Sequence, residues 1–286
     1  MLVGILDSGV EITNIEIGAS VFVNEAESLN FIDDDNNGLI DDLSGWNFYT
    51  NNNELYDNYL HDYHGTFVSS IICGSHEKGS VFGVAPNIKI LPLKFMSGSK
   101  GSIEDAISAI DYAHDLGASI INCSWDTDKY SEELRVTMAK YGDILFVCTA
   151  GKSGNDLYDF PVYPCCYDLP NVIAVAAVDN RGELYSLSGY GLLADVAAPG
   201  VDIYGAMPEG DLIFMSGTSY AAAIVSGIAA LVKSVDPTLD GTAIAGILRM
   251  SSRKIDTLSG KIESGGIIDA YLCLQNASEW GEKNDQ

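Results

Sequence analysis

Three polar residues of this sequence have the chemistry of a nucleophile, a base and a residue that orients the base. The first, Ser219, precedes a run through Leu231 made almost entirely of Ala, Ile, Val, Leu and Gly. A helix that is apolar on every side is buried, so we expect Ser219 at the start of a central helix, at the positive end of its dipole. A hydroxyl there is well placed for a reaction that develops an oxyanion. The alternative is a serine that only caps a core helix.

His64 and Asp7 are the candidate base and its orienting residue. His64 stands just before residues 67–73, an apolar stretch long enough for a buried helix. Asp7 ends the apolar run 2–6, which is typical of a strand buried on both faces of a parallel sheet. Functional groups collect beyond the carboxyl ends of such strands. Asp7 could therefore orient a base, or it could only cap the turn that follows.

Strand patterns and helical patterns alternate along the chain. Strands are predicted at residues 2–6, 88–94, 119–124, 144–149 and 172–178, and helices at residues 67–73, 103–116, 132–141 and 219–231. This alternation predicts an α/β fold, a three-layer sandwich with a mostly parallel central sheet. With 47% hydrophobic residues, the 286-residue chain suits one domain at 1–276, followed by a polar C-terminal tail at 277–286.

The charge balance narrows the partners that the chain could bind. Its 15 Lys and Arg against 40 Asp and Glu leave a formal net charge of −25. Such a surface repels phosphate groups, so we expect no binding to nucleic acid or to an anionic membrane. The sequence also contains no run of about 18 apolar residues that would predict a membrane span.

Cysteine usage and the first residues bear on localisation. The six cysteines form no C-x-x-C pair, and three of them lie in apolar runs: Cys73, Cys123 and Cys148. This pattern favours free thiols in a reducing compartment over a disulfide framework. No basic segment followed by an apolar one indicates a secretory signal. We therefore expect a cytoplasmic protein. The alternative is a secreted protein from which a signal and a propeptide were removed.

An acidic loop has the ligand spacing of a calcium site. Oxygen-bearing side chains alternate from residue 33, and Gly38 stands at the sixth position, where such a loop turns sharply. The twelfth position holds Ser44 instead of the bidentate glutamate of an EF-hand, so a nearby carboxylate would have to complete the ligand set. The predicted ligands of this structural calcium are Asp33, Asp35, Asn37, Asp41 and Asp42. The alternative is a solvated acidic loop.

Three short motifs in a fixed order carry a resemblance to a known family. With Asp7-Ser8-Gly9, His64-Gly65-Thr66 and Gly217-Thr218-Ser219, the sequence resembles the subtilisin-like serine proteases. The resemblance covers nearly the whole chain and includes Ala197-Ala198-Pro199-Gly200-Val201. Residues 33–48, ending in Gly45-Trp46-Asn47-Phe48, are similar to an insert of some members. Three motifs in the correct order with matching flanks are highly specific.

The resemblance implies a serine endopeptidase that acts on an extended segment of a protein or peptide. Ser219 would attack the peptide carbonyl, His64 would take and return the proton, and Asp7 would hold the imidazole. Because His64 must be neutral to act as a base, activity should be lost below about pH 6.5. A propeptide or an inhibitor is a further implied partner. The implied substrate-binding residues are Gly98, Ser99, Gly101, Ser124, Trp125 and Asp126, with the S1 pocket between residues 124–126 and the segment of Ala150, Gly151 and Lys152.

Two residues depart from the family pattern. Lys152 stands where the family usually has an asparagine that donates to the oxyanion, and losing one such donor costs about 10²–10³ in rate in subtilisin itself. We expect Lys152 to form a weakened or specialised oxyanion hole and to lower the pKa of His64, unless it points outward or Asn155 takes the role. Asp126 stands where the family generally has glycine. It selects a basic P1 side chain, or it pairs with Lys152 and leaves the pocket neutral.

Two functions of different classes follow from these residues. One is an endopeptidase with an atypical oxyanion hole and an intracellular processing role, such as removal of a leader from a peptide precursor. The other is a catalytically weak or dead pseudoprotease that binds peptides or partners without cutting them. The complete set of Asp7, His64 and Ser219 favours the enzyme, and Lys152 favours the binding protein.

Overall fold

The computed structural model describes residues 1–77 and 79–284. The helices are α1 (Tyr59–Cys73), α2 (Ile103–Asp115), α3 (Glu132–Lys140), α4 (Thr218–Val235), α5 (Gly241–Met250) and α6 (Ala270–Asn284). The strands are β1 (Leu2–Asp7), β2 (Trp46–Asn47), β3 (Lys89–Lys94), β4 (Met96–Ser97), β5 (Lys100–Gly101), β6 (Ile120–Cys123), β7 (Leu145–Thr149), β8 (Val172–Val178), β9 (Val196–Pro199), β10 (Ile203–Ala206), β11 (Leu212–Met215), β12 (Ser252–Lys254) and β13 (Gly266–Ile268).

Nine strands form one sheet in the order β12-β13-β9-β8-β7-β6-β1-β3-β2. Every neighbouring pair in it is parallel except β12 and β13. The central strands β1, β6, β7 and β8 are buried at every residue. Their continuous apolar sequences are what a parallel strand covered on both faces requires, which is why the sequence located them.

Helices cover both faces of this sheet. The helices α1, α4, α5 and α6 pack on one face, and α2 and α3 pack on the other. Because side chains alternate along a strand, Ile5 of β1 faces the first layer of helices and Leu6 faces the second. The three-layer α/β sandwich with a mostly parallel central sheet is thus confirmed.

The helix α4 is the central helix predicted to follow Ser219. Its length and hydropathy would suffice to cross a membrane, but 67% of it is buried inside the protein. Ser226 donates a hydrogen bond to Asn122 Oδ1 of β6 at 2.9 Å. A Cβ on Gly227 would lie 2.5 Å from Cβ of Val84, so glycine allows the helix to pack closely at that point. We conclude that α4 is a core helix.

The helix that carries His64 begins earlier than the sequence indicated. It starts at Tyr59, and the side chain of Asn58 caps it by accepting the N–H of Leu60. His64 therefore lies in the second turn and not at the start of the helix. The first turn was missed because residues 59–63 are mostly polar and only the apolar residues 67–73 carried a helical signal.

The polar tail predicted at 277–286 is also different in the structure. Residues 277–284 continue the helix α6, and residues 285–286 lie outside the described residues. Ala277 is buried, and the ring of Trp280 comes within 3.0 Å of the position that a Cβ on Gly246 would take. Packing on α5 therefore orders a segment whose polar composition suggested a tail.

Candidate active site

Asp7 and His64 form a pair at the carboxyl edge of the sheet. Asp7 is the last residue of β1 and is 2% exposed. Both of its carboxylate oxygens lie 2.9 Å from Nδ1 of His64, and Oδ1 also accepts the N–H of Ser8 at 2.7 Å. The carboxylate favours a proton on Nδ1, which leaves Nε2 as the ring nitrogen able to accept a proton.

Glycine next to His64 allows the helix α1 to approach β1 this closely. A Cβ on Gly65 would lie 2.2 Å from the carbonyl oxygen of Gly9 and 3.3 Å from Cβ of Asp7. Any side chain at Gly65 would push the helix, and the imidazole with it, away from the carboxylate. In the motif His64-Gly65, the histidine therefore serves the chemistry and the glycine provides the space for it.

The surroundings of His64 raise its pKa above the ordinary value. Burial lowers the pKa because the protein interior disfavours the charged imidazolium. The charge and hydrogen bond of Asp7 outweigh burial, while the positive charge of Lys152 lowers the pKa as expected from the sequence. The neutral base is therefore formed at higher pH than the ordinary histidine value of about 6.5 implied.

Ser219 is the second residue of α4 and lines the same cleft as His64. Its hydroxyl donates to the carbonyl oxygen of Ser124 at 3.0 Å, and the hydroxyl of Ser124 donates to the carbonyl oxygen of Ser219 at 2.8 Å. Among the described residues, no hydrogen bond joins Ser219 to His64. Attack on a substrate would require the side chain of Ser219 to turn from Ser124 toward the imidazole, and loose geometry of this kind is common in free active sites.

Hydrogen bonds hold the start of α4 against the neighbouring strand ends. Thr218 Oγ1 donates to the carbonyl of Gly151 at 2.9 Å and accepts from Thr149 Oγ1 at 2.6 Å. The N–H of Gly217 donates to the carbonyl of Gly200 at 2.7 Å. Because the first N–H groups of a helix have no acceptor within the helix, this end of α4 offers donors to a developing oxyanion beside Ser219.

The cleft has a volume of about 370 Å³ and contains most of the residues predicted to bind substrate. Gly101, which pairs with Met96 between β4 and β5, does not line it. Ala150 and Gly151 are buried and do not line it either. The predicted residues that do line it are Asp7, His64, Gly98, Ser99, Ser124, Trp125, Asp126, Lys152 and Ser219. Sequence reasoning missed five further lining residues, whose only signal is closeness to a motif residue or to the loop after β3: Ser8, Leu60, His61, Tyr63 and Met96.

Lys152 is exposed and lines the cleft, and its charge is close enough to lower the pKa of His64. Asn155 is not among the described residues that line the cleft. Burial raises the pKa of Asp126, the charge of Lys152 lowers it and the charge of Asp128 raises it, with a net rise. Within residues 1–77 and 79–284 no ion pair joins Asp126 to Lys152. The pocket thus keeps a carboxyl group without a direct cationic partner.

The acidic loop brings three carboxylates together, and one of them lies outside the predicted motif. Glu27, Asp35 and Asp42 each offer an oxygen within 4.8 Å of the others. Glu27 Oε2 and Asp42 Oδ1 are buried and have no hydrogen-bond partner among the described residues. Buried anionic oxygens without partners are costly unless a cation neutralises them, so this cluster fits a hard cation such as calcium. Glu27 was missed because it precedes the motif and has no ligand spacing.

Three of the predicted calcium ligands have other contacts. Asp33 accepts the N–H groups of Asn37 and Gly38 and so stabilises the turn. Asp41 accepts the N–H groups of Asn30 and Phe31. The structure therefore brings Asp35 and Asp42 of the predicted ligands together with Glu27, and it does not place Asp33 and Asp41 in the same cluster. Asn37 stays beside it, with its amide nitrogen 3.2 Å from Asp35 Oδ2 and 3.1 Å from Asp42 Oδ2.

Comparison with known proteins agrees with this fold. The model of the subtilase family, Peptidase_S8, matches residues 1–267. Subtilisin-like protease 1 of Plasmodium berghei is 32% identical in an alignment of 300 positions, which covers 96% of this chain and 49% of the relative. A thermophilic serine proteinase of Bacillus sp. (strain AK1) is 32% identical over 236 residues, 81% of this chain and 52% of the relative. The chain spans about half the length of these curated relatives.

Two solved structures of proteases are similar over almost the whole chain. The prenylagaramide maturation protease PagA has a TM-score of 0.73 and 26% identity, covering 97% of this chain and 94% of that one. The self-cleaved protease domain of PatA has a TM-score of 0.73 and 27% identity, covering 97% and 96%. The family model, the identities and the shared fold lead to one conclusion: this chain belongs to the subtilase family of serine proteases.

Proposed function

We propose that this chain is a serine endopeptidase whose catalytic residues are Asp7, His64 and Ser219. The observation that carries the proposal is the pairing of Asp7 with Nδ1 of His64 at 2.9 Å, in the cleft that Ser219 also lines. A buried carboxylate that orients an imidazole beside a hydroxyl at a helix start is the arrangement that amide hydrolysis requires. The relatives named as proteases support the same reaction class.

The reaction runs in two halves. In the first half, Ser219 Oγ forms a bond to the peptide carbonyl carbon while Nε2 of His64 takes the hydroxyl proton, which then passes to the leaving amine as the C–N bond breaks. In the second half, water attacks the acyl-enzyme, gives its proton to His64, and the Oγ–acyl bond breaks as Ser219 regains a proton. Asp7 stabilises the imidazolium in both halves without becoming protonated.

Lys152 contributes to an atypical oxyanion hole in this proposal. Its exposed side chain lines the cleft beside Ser219, and its charge reaches His64 and Asp126. An ammonium group on a flexible stem is a less well-placed donor than a short amide. We therefore propose a hole in which the start of α4 supplies the fixed donors and Lys152 supplies positive charge.

The substrate is an extended peptide segment, and its P1 side chain enters a narrow acidic space. A Cβ on Gly151 would lie 3.1 Å from Val162 Cγ2 and 3.9 Å from Asp126 Cγ, so these two side chains bound the space next to Gly151. In the part of the chain that the structure describes, no cationic side chain forms an ion pair with Asp126. We propose that its carboxylate favours a basic P1 residue and that Val162 limits the depth available to it.

A processing role in a reducing compartment fits these features. All six cysteines are free in the structure, and five of them are buried. PagA, a similar structure, is a maturation protease, and PatA is described as self-cleaved. We propose that this chain likewise cleaves a peptide or protein precursor, and that the cluster of Glu27, Asp35 and Asp42 holds a structural calcium ion that plays no part in the reaction.

A fluorophosphonate probe tests the catalytic proposal without knowledge of the natural substrate. The folded protein should be labelled at Ser219, and labelling should disappear in Ser219→Ala and fall strongly in His64→Ala. Ser234→Ala, at the opposite end of the same helix, should be labelled like the unmodified protein. Absence of labelling in the folded, calcium-loaded protein would refute the enzyme.

That negative result would favour the second candidate function, a pseudoprotease that binds peptides. The specific observation behind it is the hydroxyl of Ser219, which donates to Ser124 and makes no hydrogen bond to His64 among the described residues. Lys152 in place of the usual amide points the same way. A pseudoprotease would bind library peptides in the cleft and release them uncut, whereas the enzyme would return cleaved products.

A further inference from the structure

Lys94 and Asp62 form a buried ion pair close to Asp7 and His64. Lys94 is 3% exposed and ends β3, and Asp62 is 0% exposed on α1. The ammonium group donates to Asp62 Oδ1 and also to the carbonyl oxygen of Ser8. A buried ion pair is often no more stabilising than apolar residues of similar volume. Stability alone therefore does not account for two charges at this place.

On one side, the pair holds the segment that carries Asp7. Lys94 lies opposite Asp7 in the parallel register of β1 and β3. Its ammonium group binds the carbonyl of Ser8, the residue that follows Asp7. The N–H of Phe95 in turn donates to the carbonyl of Asp7 at 3.1 Å. The end of β3 thus binds two consecutive backbone carbonyls, those of Asp7 and Ser8, next to the Asp7 carboxylate.

On the other side, the pair holds the start of the helix that carries His64. Asp62 Oδ2 accepts the N–H groups of Asp57 and Asn58 at 2.8 and 3.2 Å, just before α1 begins. Its side chain also packs on the turn after Asp7, where a Cβ on Gly9 would lie 3.0 Å from Asp62 Cγ. Asp62 stands two residues before His64, so the ion pair links the two chain segments whose side chains meet.

The pair also balances charge. Asp7 and Asp62 are both buried carboxylates, and Lys94 directly neutralises Asp62. Asp7 is then the buried carboxylate left to stabilise an imidazolium on His64. When His64 accepts a proton, the group of four side chains carries two negative and two positive charges. Removing either member of the ion pair breaks this balance, in opposite directions.

We propose that Lys94 and Asp62 are positioning residues for the Asp7–His64 pair. Their ion pair ties the end of β1 to the start of α1 and reserves the charge of Asp7 for His64. This inference rests on the proposed function, since it assigns the two residues a role in preparing the base. Neither residue touches the substrate in this role, and both act through the geometry and charge of Asp7 and His64.

Opposite shifts in the titration of His64 distinguish this role from a merely structural one. The charged and titratable groups around His64 are Asp7 on β1, Lys94 on β3, Asp126 and Lys152 on the loops after β6 and β7, Tyr220 on α4, and Asp62 and Tyr63 on its own helix. Neither Lys94 nor Asp62 lines the cleft, so either residue can be replaced without altering the cleft lining. Leaving Asp62 without its cation should favour imidazolium, and leaving Lys94 without its anion should disfavour it.

The experiment is an NMR titration of the imidazole protons in Ser219→Ala protein, which needs no catalytic activity. Lys94→Met should raise the midpoint of His64 and Asp62→Asn should lower it, each by about half a unit to one unit. The double variant should titrate close to the parent. Lys89→Met, at the exposed far end of the same strand, removes the same charge and should leave the midpoint unchanged. His64→Ala identifies the signal among the four histidines.

Shifts in the same direction, or no shift in either single variant, would overturn the proposal. If a single variant does not fold, the charge-free double variant decides the outcome with Ser219 restored. It should react with a fluorophosphonate at least about tenfold more slowly, because Ser8 is no longer held and the base is misplaced. A double variant that reacts at the parental rate would overturn the positioning role. Failure of the unmodified protein to react would remove the proposed function, while the titration still decides the inference.

Discussion

Replacing Glu27 by glutamine should change stability in opposite directions with and without calcium. Glu27, Asp35 and Asp42 bring oxygens within 4.8 Å of one another, and Glu27 Oε2 is buried without a partner. Without a cation, the charges repel and the desolvated oxygen is uncompensated, so removing one charge stabilises the fold. With calcium bound, the same oxygen is a ligand, and its loss weakens binding. Glutamine keeps the oxygen that accepts the N–H of Asp35 at 2.9 Å.

The expected size follows from the binding equilibrium and from the distances in the cluster. Calcium at 100 times its Kd adds about 2.7 kcal/mol to the free energy of unfolding. For a domain of this size, 1 kcal/mol corresponds to about 2–4 °C, so calcium should raise Tm by about 5–10 °C. Two like charges at this separation repel by about 1–3 kcal/mol at the effective dielectric constant of proteins. Glu27→Gln should therefore gain several degrees in chelator and lose several degrees in calcium.

Thermal unfolding followed by circular dichroism in chelator and in excess calcium provides the measurement. Asp33→Asn is the matched control, because it removes the same charge from the same loop but lies outside the cluster. Asparagine keeps one of the two oxygens that accept N–H groups of the turn, and losing the other should lower Tm equally in both conditions. A calcium-independent Tm in the unmodified protein, or the same sign for Glu27→Gln in both conditions, would refute the reasoning.

Four further predictions concern the cleft. The activity profile should fall as pH decreases through a midpoint above 6.5, because Asp7 keeps the imidazolium of His64 stable to higher pH; a midpoint at or below the ordinary value contradicts this. Lys152→Asn should leave kcat unchanged or raise it by up to about 10²-fold if the amide reaches the oxyanion. It should also move the midpoint of the pH profile upward, because a cation near His64 is removed. A lower kcat would contradict the weakened oxyanion hole. Asp126→Asn should reduce the preference for basic over apolar P1 residues about tenfold in a peptide library, and an unchanged profile would rule out the carboxylate as the selector. Gly65→Ala should cost about 10²-fold in kcat because its Cβ would displace α1, and wild-type turnover in a folded variant would disprove that steric reason.

Much of the fold could be predicted because its signals are local. The buried strands β1, β6, β7 and β8 are nearly continuous apolar runs. This is the sequence pattern of a parallel strand that is covered on both faces. The helix α2 was predicted within one residue because its apolar residues recur at helical spacing, and the structure shows that Ser102 caps it. Where the local signal was absent, the prediction was wrong. The first turn of α1 is mostly polar, and so is the end of α6, where Trp280 packs on α5.

The candidate site divides along the same line. Asp7, His64 and Ser219 were recognisable because each stands in a short motif next to a strand end or a helix start. Glu27 carries no such mark, since a carboxylate becomes a metal ligand only through the neighbours that the loop brings to it. The same holds for Lys94. The sequence places it at the end of a strand, but the residues next to it in the chain do not indicate that it is buried beside Asp62.

The sequence alone identified the candidate catalytic residues, the strand and the helices that carry them, and the edge of the sheet at which they meet. These follow from apolar periodicity and from the rule that parallel strands all end on one side. Only the tertiary structure decided which side chains form hydrogen bonds with each other, which charged groups are buried away from water, and which cationic groups neutralise the buried carboxylates. The reason is that desolvation and Coulomb energy depend on the distances in space between segments that are far apart in the chain. The local sequence pattern does not report those distances.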